Sequence, residues 1–128
     1  MLTLVAAAIL SFMIFFPLVV ATSVFKVLDE KQSSKFLRIF FPKYYLYGFV
    51  LSAVGLILST YYENKLSILI FLLIMVGFIF SRQVLMPVIN KSKDLGDESK
   101  FNKLHKFSVL INFLQIIGSI FLLVTYLK

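Results

Sequence analysis

The stretch "LTLVAAAILSFMIFFPLVVATSVF", residues 2–25, contains no charged side chain, and the first charge after it is Lys26. A helix needs about 20 consecutive apolar residues to cross the hydrocarbon core of a bilayer. Residues 2–25 meet that requirement alone. Three further apolar runs follow, at about 44–62, 66–88 and 107–127. Four spans consume about 80 residues, and a chain of 128 has room for them and for little else. The composition agrees: 60% of residues are hydrophobic, 15% are charged and the mean hydropathy is +0.96. A soluble domain is about 45–50% apolar and about 25% charged. The reading is an all-α, polytopic membrane protein, a single four-helix transmembrane bundle over residues 1–128. A water-soluble globular domain and a disordered tail are excluded, and with no cysteine so is a disulfide scaffold.

Charge sets the expected orientation. The formal charge of +7 does not point to nucleic acid in so apolar a chain; it points to loops held on the cytoplasmic side. Between the first two runs, Lys26, Lys31, Lys35, Arg38 and Lys43 against Asp29 and Glu30 leave +3. Around the third loop, Arg82, Lys91, Lys93, Lys100, Lys103 and Lys106 against Asp94, Asp97 and Glu98 again leave +3. The turn Glu63, Asn64, Lys65 is neutral. Both termini are therefore expected outside, with the two basic loops cytoplasmic, in the inner (plasma) membrane. No basic residue precedes the first run, so it reads as an uncleaved anchor rather than a secretory signal.

Local signals refine the elements. Pro17 should kink the first helix and free a carbonyl near Met13. In the first loop, Ser33 or Ser34 is placed to cap a short helix with Phe36, Ile39 and Phe40 on one apolar face. Such a segment would lie in the bilayer interface; otherwise it is a lead-in to the second span, broken at Pro42. Tyr44, Tyr45 and Tyr47 at one end of the second run, and Tyr61 and Tyr62 at the other, have the spacing of interfacial aromatic belts. Asp97, Glu98 and Ser99 suit a helix start near Ser99.

Two stripes stand out inside the spans. His105, Ser108, Asn112, Gln115 and Ser119 are spaced 3, 4, 3 and 4 apart and fall within an arc of about 80° on one helix. They either hydrogen-bond to another helix or line a path or ligand site. Gly48, Ser52, Gly55 and Ser59 share an arc of about 60° on the second helix. Small residues in register let helix backbones approach closely, so this groove should seat another helix, with the fourth the first choice. Arg82 either snorkels to the surface or, if its helix continues to Asn90, needs a carbonyl, Asn112, a lipid phosphate or an anionic ligand as partner. His105 could ligate haem only in a site shared across an oligomer, since one histidine and no cysteine cannot complete a haem or zinc site within one chain. No metal and no cofactor is otherwise expected. The spans hold no carboxylate for a proton relay and the chain has no nucleophile elbow, so an enzyme is not expected.

The segments "FLRIFFPKYY", "LMPVIN" and "FNKLHKFSVLINFLQ" resemble a four-span family, the domain of unknown function 4149, also described as transmembrane protein 205-like. The resemblance lies in Phe41, Pro42 and Tyr44, in Leu85 and Pro87, and in Phe101, His105, Ser108 and Asn112. It implies a four-helix integral membrane protein and supplies neither substrate nor catalytic residue. Two functional readings follow from the residues. One is an accessory subunit or homo-oligomer held together by the stripes, with the bilayer and sister subunits as its partners. The other is a small-solute transport or ligand-binding protein with its site along the fourth helix, His105 and Arg82 at its cytoplasmic mouth.

Overall fold

In a computed structural model of the chain, which describes residues 1–126, Asp29 rather than Ser33 or Ser34 starts the second helix. Its carboxylate accepts the Gln32 amide at 2.7 Å, and an aspartate at this position satisfies one of the unpaired amides of the first turn. The helix then runs without a break to Tyr61. Four helices result: α1 (Leu2–Val27), α2 (Glu30–Tyr61), α3 (Lys65–Asp94) and α4 (Glu98–Tyr126), each long and apolar enough to cross a membrane. No strand occurs among the described residues. The expected end of the fourth span, Leu127, lies outside them.

The links between helices are two or three residues long, which makes sequential helices antiparallel neighbours. Two of the turns share one device. Gly96 at φ 73° and Glu63 at φ 55° each take the left-handed conformation. The next amide reaches back five residues, from Asp97 to Ser92 and from Asn64 to Ser59, both at 3.0 Å. This is the Schellman arrangement, which satisfies carbonyls a helix end leaves free. Asn64 then caps α3 through the Ser67 amide at 3.1 Å, and Tyr126 on α4 donates its hydroxyl to the same Asn64 oxygen at 2.7 Å. The helices close a ring in which α1 meets α2 and α4, and α3 meets α2 and α4; across the diagonals no Cα pair lies within 8 Å.

Three corrections to the sequence reading share one cause. The first loop holds no separate interfacial helix, because residues 30–43 are the start of α2 and Pro42 sits inside it. At 1.5 Å per residue α2 is about 48 Å long, well beyond the hydrocarbon thickness of about 30 Å. The polar starts of α2 and α4 and the polar end of α3 overshoot at the same end of the bundle, the basic end, where charge makes helix look like loop. Because α2 starts early, Tyr44 and Tyr45 lie near its middle and are core residues, 6% and 2% exposed, not members of an aromatic belt. Tyr44 packs on Phe12 at 5.0 Å and on Phe16 at 5.3 Å between ring centroids. Phe40 likewise stacks on Phe16 at 4.6 Å, while Ile39 stays 63% exposed, so the expected face of Phe36, Ile39 and Phe40 does not act as a unit.

The prolines of α1 and α3 are absorbed as π-helical turns, at Phe16–Ala21 and Ser81–Leu85. Pro17 and Pro87 cannot donate the i→i−4 bond, and a π turn lies at the first and just before the second. In α1, the Thr22 and Ser23 hydroxyls donate to the Leu18 and Val19 carbonyls at 2.7 and 2.6 Å.

Candidate functional site

The small-residue stripe is buried along α2, and its partner is α3 rather than α4. Phe78 lies over Gly48 and Phe71 over Gly55; a Cβ on Gly48 would stand 2.6 Å from the Phe78 ring. The two pairs are seven residues apart on each helix, in antiparallel order. Ser52 and Ser59 donate to the Gly48 and Gly55 carbonyls, both at 2.8 Å. Their hydroxyls are thus satisfied within α2. With no aqueous driving force between helices in lipid, close packing of this kind holds the pair together.

The polar stripe of α4 divides in two. Toward the neutral end, Gln115 donates to the Ile74 carbonyl of α3 at 2.9 Å. Gly77 makes room for it, since a Cβ there would stand 2.6 Å from the Gln115 amide nitrogen. Ser119 donates to the Gln115 carbonyl at 2.9 Å. These two residues serve packing within one chain. Toward the basic end, His105, Ser108 and Asn112 instead line a cavity of about 620 Å³. That volume lies within the range of small-molecule sites, about 300–1,000 Å³.

All four helices wall the cavity. Its depth is apolar, formed by Met13 and Phe16 of α1, Tyr44 of α2, Met86 of α3 and Ile116 of α4. One polar cluster interrupts this lining. The Tyr45 and Ser108 hydroxyls are 3.4 Å apart, and the Asn112 side-chain oxygen, shielded from solvent, takes no hydrogen bond. Gln115 Oε1 and the Ser67 and Ser81 hydroxyl oxygens are also buried without a partner, but of the four residues only Asn112 lines the cavity. A buried acceptor without a partner is costly in an apolar surrounding, so this wall is suited to a guest that can hydrogen-bond.

The cavity opens sideways. α1 packs on α4 along Leu2–Phe15, but from Phe16 onward no Cα of α1 lies within 8 Å of α4. The gap is edged by Phe25, Val109 and Phe113, which are more than half exposed. It also opens at the basic end. There Arg38 of α2 makes a forked ion pair with Asp94 of α3 and donates to the Asn90 carbonyl at 3.3 Å. The Lys93 ammonium stands 5.7 Å from the centre of the Phe101 ring, which stacks on His105 at 5.9 Å. The mouth continues into a polar depression lined by Glu30, Lys31, Lys35 and Lys93. Among the described residues, no carboxylate pairs with Lys31, Lys35 or Lys93.

Arg82 is not part of this constellation. Its helix continues past Asn90 to Asp94, and Arg82 finds its partners within the chain, the Pro42 carbonyl at 3.1 Å and the Gln83 amide oxygen at 2.9 Å. Of the expected site residues, the fold thus gathers His105, Ser108 and Asn112, assigns Gln115 and Ser119 to packing, and sets Arg82 apart. Tyr45, Arg38 and Lys93 were missed by the sequence reading. Pro17, beside the wall formed by Phe16, was the one sequence signal that the first helix is irregular here.

A family model described as a domain of unknown function (DUF4149) matches residues 4–98. The chain belongs to that family. Phe41, Pro42, Tyr44, Leu85 and Pro87 fall inside the matched region, whereas His105, Ser108 and Asn112 lie beyond it. No curated protein and no solved structure matches the chain.

Proposed function

We propose that this member of the DUF4149 family is an intramembrane binding protein, which takes an amphiphilic molecule from the bilayer into the cavity between α1, α2, α3 and α4. The observation that carries the reading is the cavity's lateral gap: an apolar chamber opening between α1 and α4, at residues whose exposed side chains are apolar, exchanges contents with lipid more readily than with water. The polar cluster of Tyr45, Ser108 and Asn112 gives the guest a hydrogen-bonding orientation. An accessory subunit or homo-oligomer is less well supported. The small-residue stripe of α2 and the Gln115–Ser119 half of the polar stripe, which would hold such an assembly, are turned inward and engaged within one chain. The chain carries out no bond-making step in this reading, and His105 is a rim residue stacked on Phe101 rather than a haem ligand.

The test compares Asn112→Leu with Gln115→Leu. Both replace an amide on α4 by a hydrocarbon of similar size, but only Asn112 lines the cavity. Native mass spectrometry of gently extracted protein should show a retained small molecule in the parent chain and in Gln115→Leu. In Asn112→Leu it should be lost while the thermal midpoint stays within a few degrees. A parent chain that carries no ligand overturns the proposal.

The same reading places the basic end in the cytoplasm and both termini outside the plasma membrane, on the strength of +3 at each basic linkage against a neutral turn at residues 63–65. Glu63→Cys should react with an impermeant thiol reagent on intact cells, and Lys100→Cys only after permeabilisation. Reaction of Lys100→Cys from outside would reverse the orientation.

A further inference from the structure

The length of the cavity and the charge at its mouth narrow the guest further, given that the cavity binds an amphiphile at all. Its lining on α4 runs from Phe101 to Ile116, about 22 Å at 1.5 Å per residue. Half of a bilayer, head groups included, is about 20–22 Å. The cavity is therefore one leaflet deep. Its apolar part, around Met13, Phe16 and Ile116, lies toward the bilayer centre, and its polar part lies at the basic end. A chamber that shares both the length and the polarity gradient of a leaflet, and opens sideways into it, matches a molecule of that leaflet in place.

The mouth adds the sign of the head group. Lys31, Lys35, Arg38 and Lys93 line the depression together with Glu30 and Asp94, leaving +2. Arg38 is engaged by Asp94. The three lysines have no carboxylate partner among the described residues. They come from two helices: Lys31 and Lys35 lie one turn apart on α2, and Lys93 comes from the end of α3. A phosphate between them is held by flexible ammonium groups, as basic side chains near a membrane surface attract anionic lipid. About 10 Å below Phe101, at 1.5 Å per residue along α4, the Tyr45 and Ser108 hydroxyls share one hydrogen bond, which leaves one O–H free to donate to an ester carbonyl. We infer that the cavity holds an anionic phospholipid of the leaflet at the basic end, its phosphate on Lys31, Lys35 and Lys93 and its acyl chains between α1 and α4.

The experiment equilibrates the purified full-length chain with equal amounts of phosphatidylglycerol and phosphatidylcholine of identical acyl chains and reads the retained lipid by native mass spectrometry. The parent chain should retain the anionic lipid at least tenfold over the zwitterionic one. The triple variant Lys31→Gln, Lys35→Gln, Lys93→Gln should still retain lipid, but without the preference. A control, Lys100→Gln with Lys103→Gln, removes charge from the same end but away from the depression and should keep the preference. Excess inorganic phosphate should leave the retained lipid in place. Equal retention of both lipids by the parent chain, or an unchanged preference in the triple variant, overturns the assignment of the head group while leaving the binding function standing. Displacement of the preference by inorganic phosphate would show that the lysines bind a free anion, and also overturns it. No lipid of either kind on the parent chain removes the binding function itself.

Discussion

Gly55 and Gly118 are both helical glycines, yet what surrounds each gives opposite expectations for an added methyl group. A Cβ on Gly55 lands on the Phe71 ring, and Phe71 is fully buried. A Cβ on Gly118 would meet Ile70 and Ile74 at 3.5 and 3.6 Å, ordinary contact distances. Overpacking a tight contact costs about 1–3 kcal/mol, whereas Gly→Ala in a helix without a clash gains up to about 1 kcal/mol. Gly55→Ala should therefore lower the thermal midpoint in detergent, and Gly118→Ala should leave it level or raise it. Equal losses would mean that α3 does not sit in the groove. The groove itself was legible from spacing, since small residues three and four apart can only form one stripe. Its occupant was not. Phe71 and Phe78 lie in a run so uniformly apolar that no face of α3 is marked, and the partner of a featureless helix cannot be read from one chain. The division of the α4 stripe was hidden for a similar reason. Ser108 and Ser119 look alike in sequence, and only the spreading of α1 from α4 makes one a cavity residue and the other a packing residue.

The four elements themselves followed from hydropathy, because a membrane span must satisfy its backbone internally and so is written as a long apolar helix. Their ends at the neutral side were equally plain, with a three-residue turn between two apolar runs. At the basic end the signal failed, because residues 30–43, 89–94 and 98–106 are helical without being apolar. Caps mark those boundaries better than hydropathy does: Asp29 starts α2 and Asp97 accepts the Lys100 amide at 3.1 Å to start α4. Pro17 marks the place in α1 where the helix takes a π turn, and the form of that turn matters more than its presence. A π turn holds one more residue than an α turn, so it rotates everything beyond it by about 100° relative to a regular helix. Ala21 and Phe25, which line the cavity, lie at or after that turn. Pro17→Ala restores the missing amide and allows the segment to return to α-helix. Unfolding should then require the same or more heat, while the retained ligand falls severalfold, because Ala21 and Phe25 turn away from the wall. A variant that keeps its ligand and shows unchanged stability would mean that the π turn is set by packing and not by Pro17.

The whole molecule is a ring of four helices that is tight at one end and parted at the other. At the neutral end Leu2–Phe15 of α1 lies against α4, and Tyr126 is tied to the α2–α3 turn through Asn64. At the basic end the α2 and α3 extensions are joined by Arg38 and Asp94, an exposed and therefore weak pair, and α1 leaves α4 altogether. The proposed binding function depends on that separation persisting in the membrane. The chain contains no cysteine, so a pair introduced at Phe25 and Val109, on the two edges of the gap, reports on it without background. A disulfide needs Cα atoms about 4.4–6.8 Å apart, whereas no Cα of residues 16–27 comes within 8 Å of α4. The double variant Phe25→Cys, Val109→Cys should therefore stay reduced under mild oxidation in membranes, yet be bridged by a bifunctional thiol reagent long enough to cross the gap. Bridging after the ligand has been removed should slow its re-uptake from vesicles at least tenfold, and bridging with the ligand in place should slow its release to the same degree. The singly substituted chains, treated with the same reagent, should exchange at the parent rate. Rapid disulfide formation without the reagent would show that the gap closes in the membrane. Unimpeded exchange in the bridged chain would show that the ligand passes through the basic mouth and not between α1 and α4.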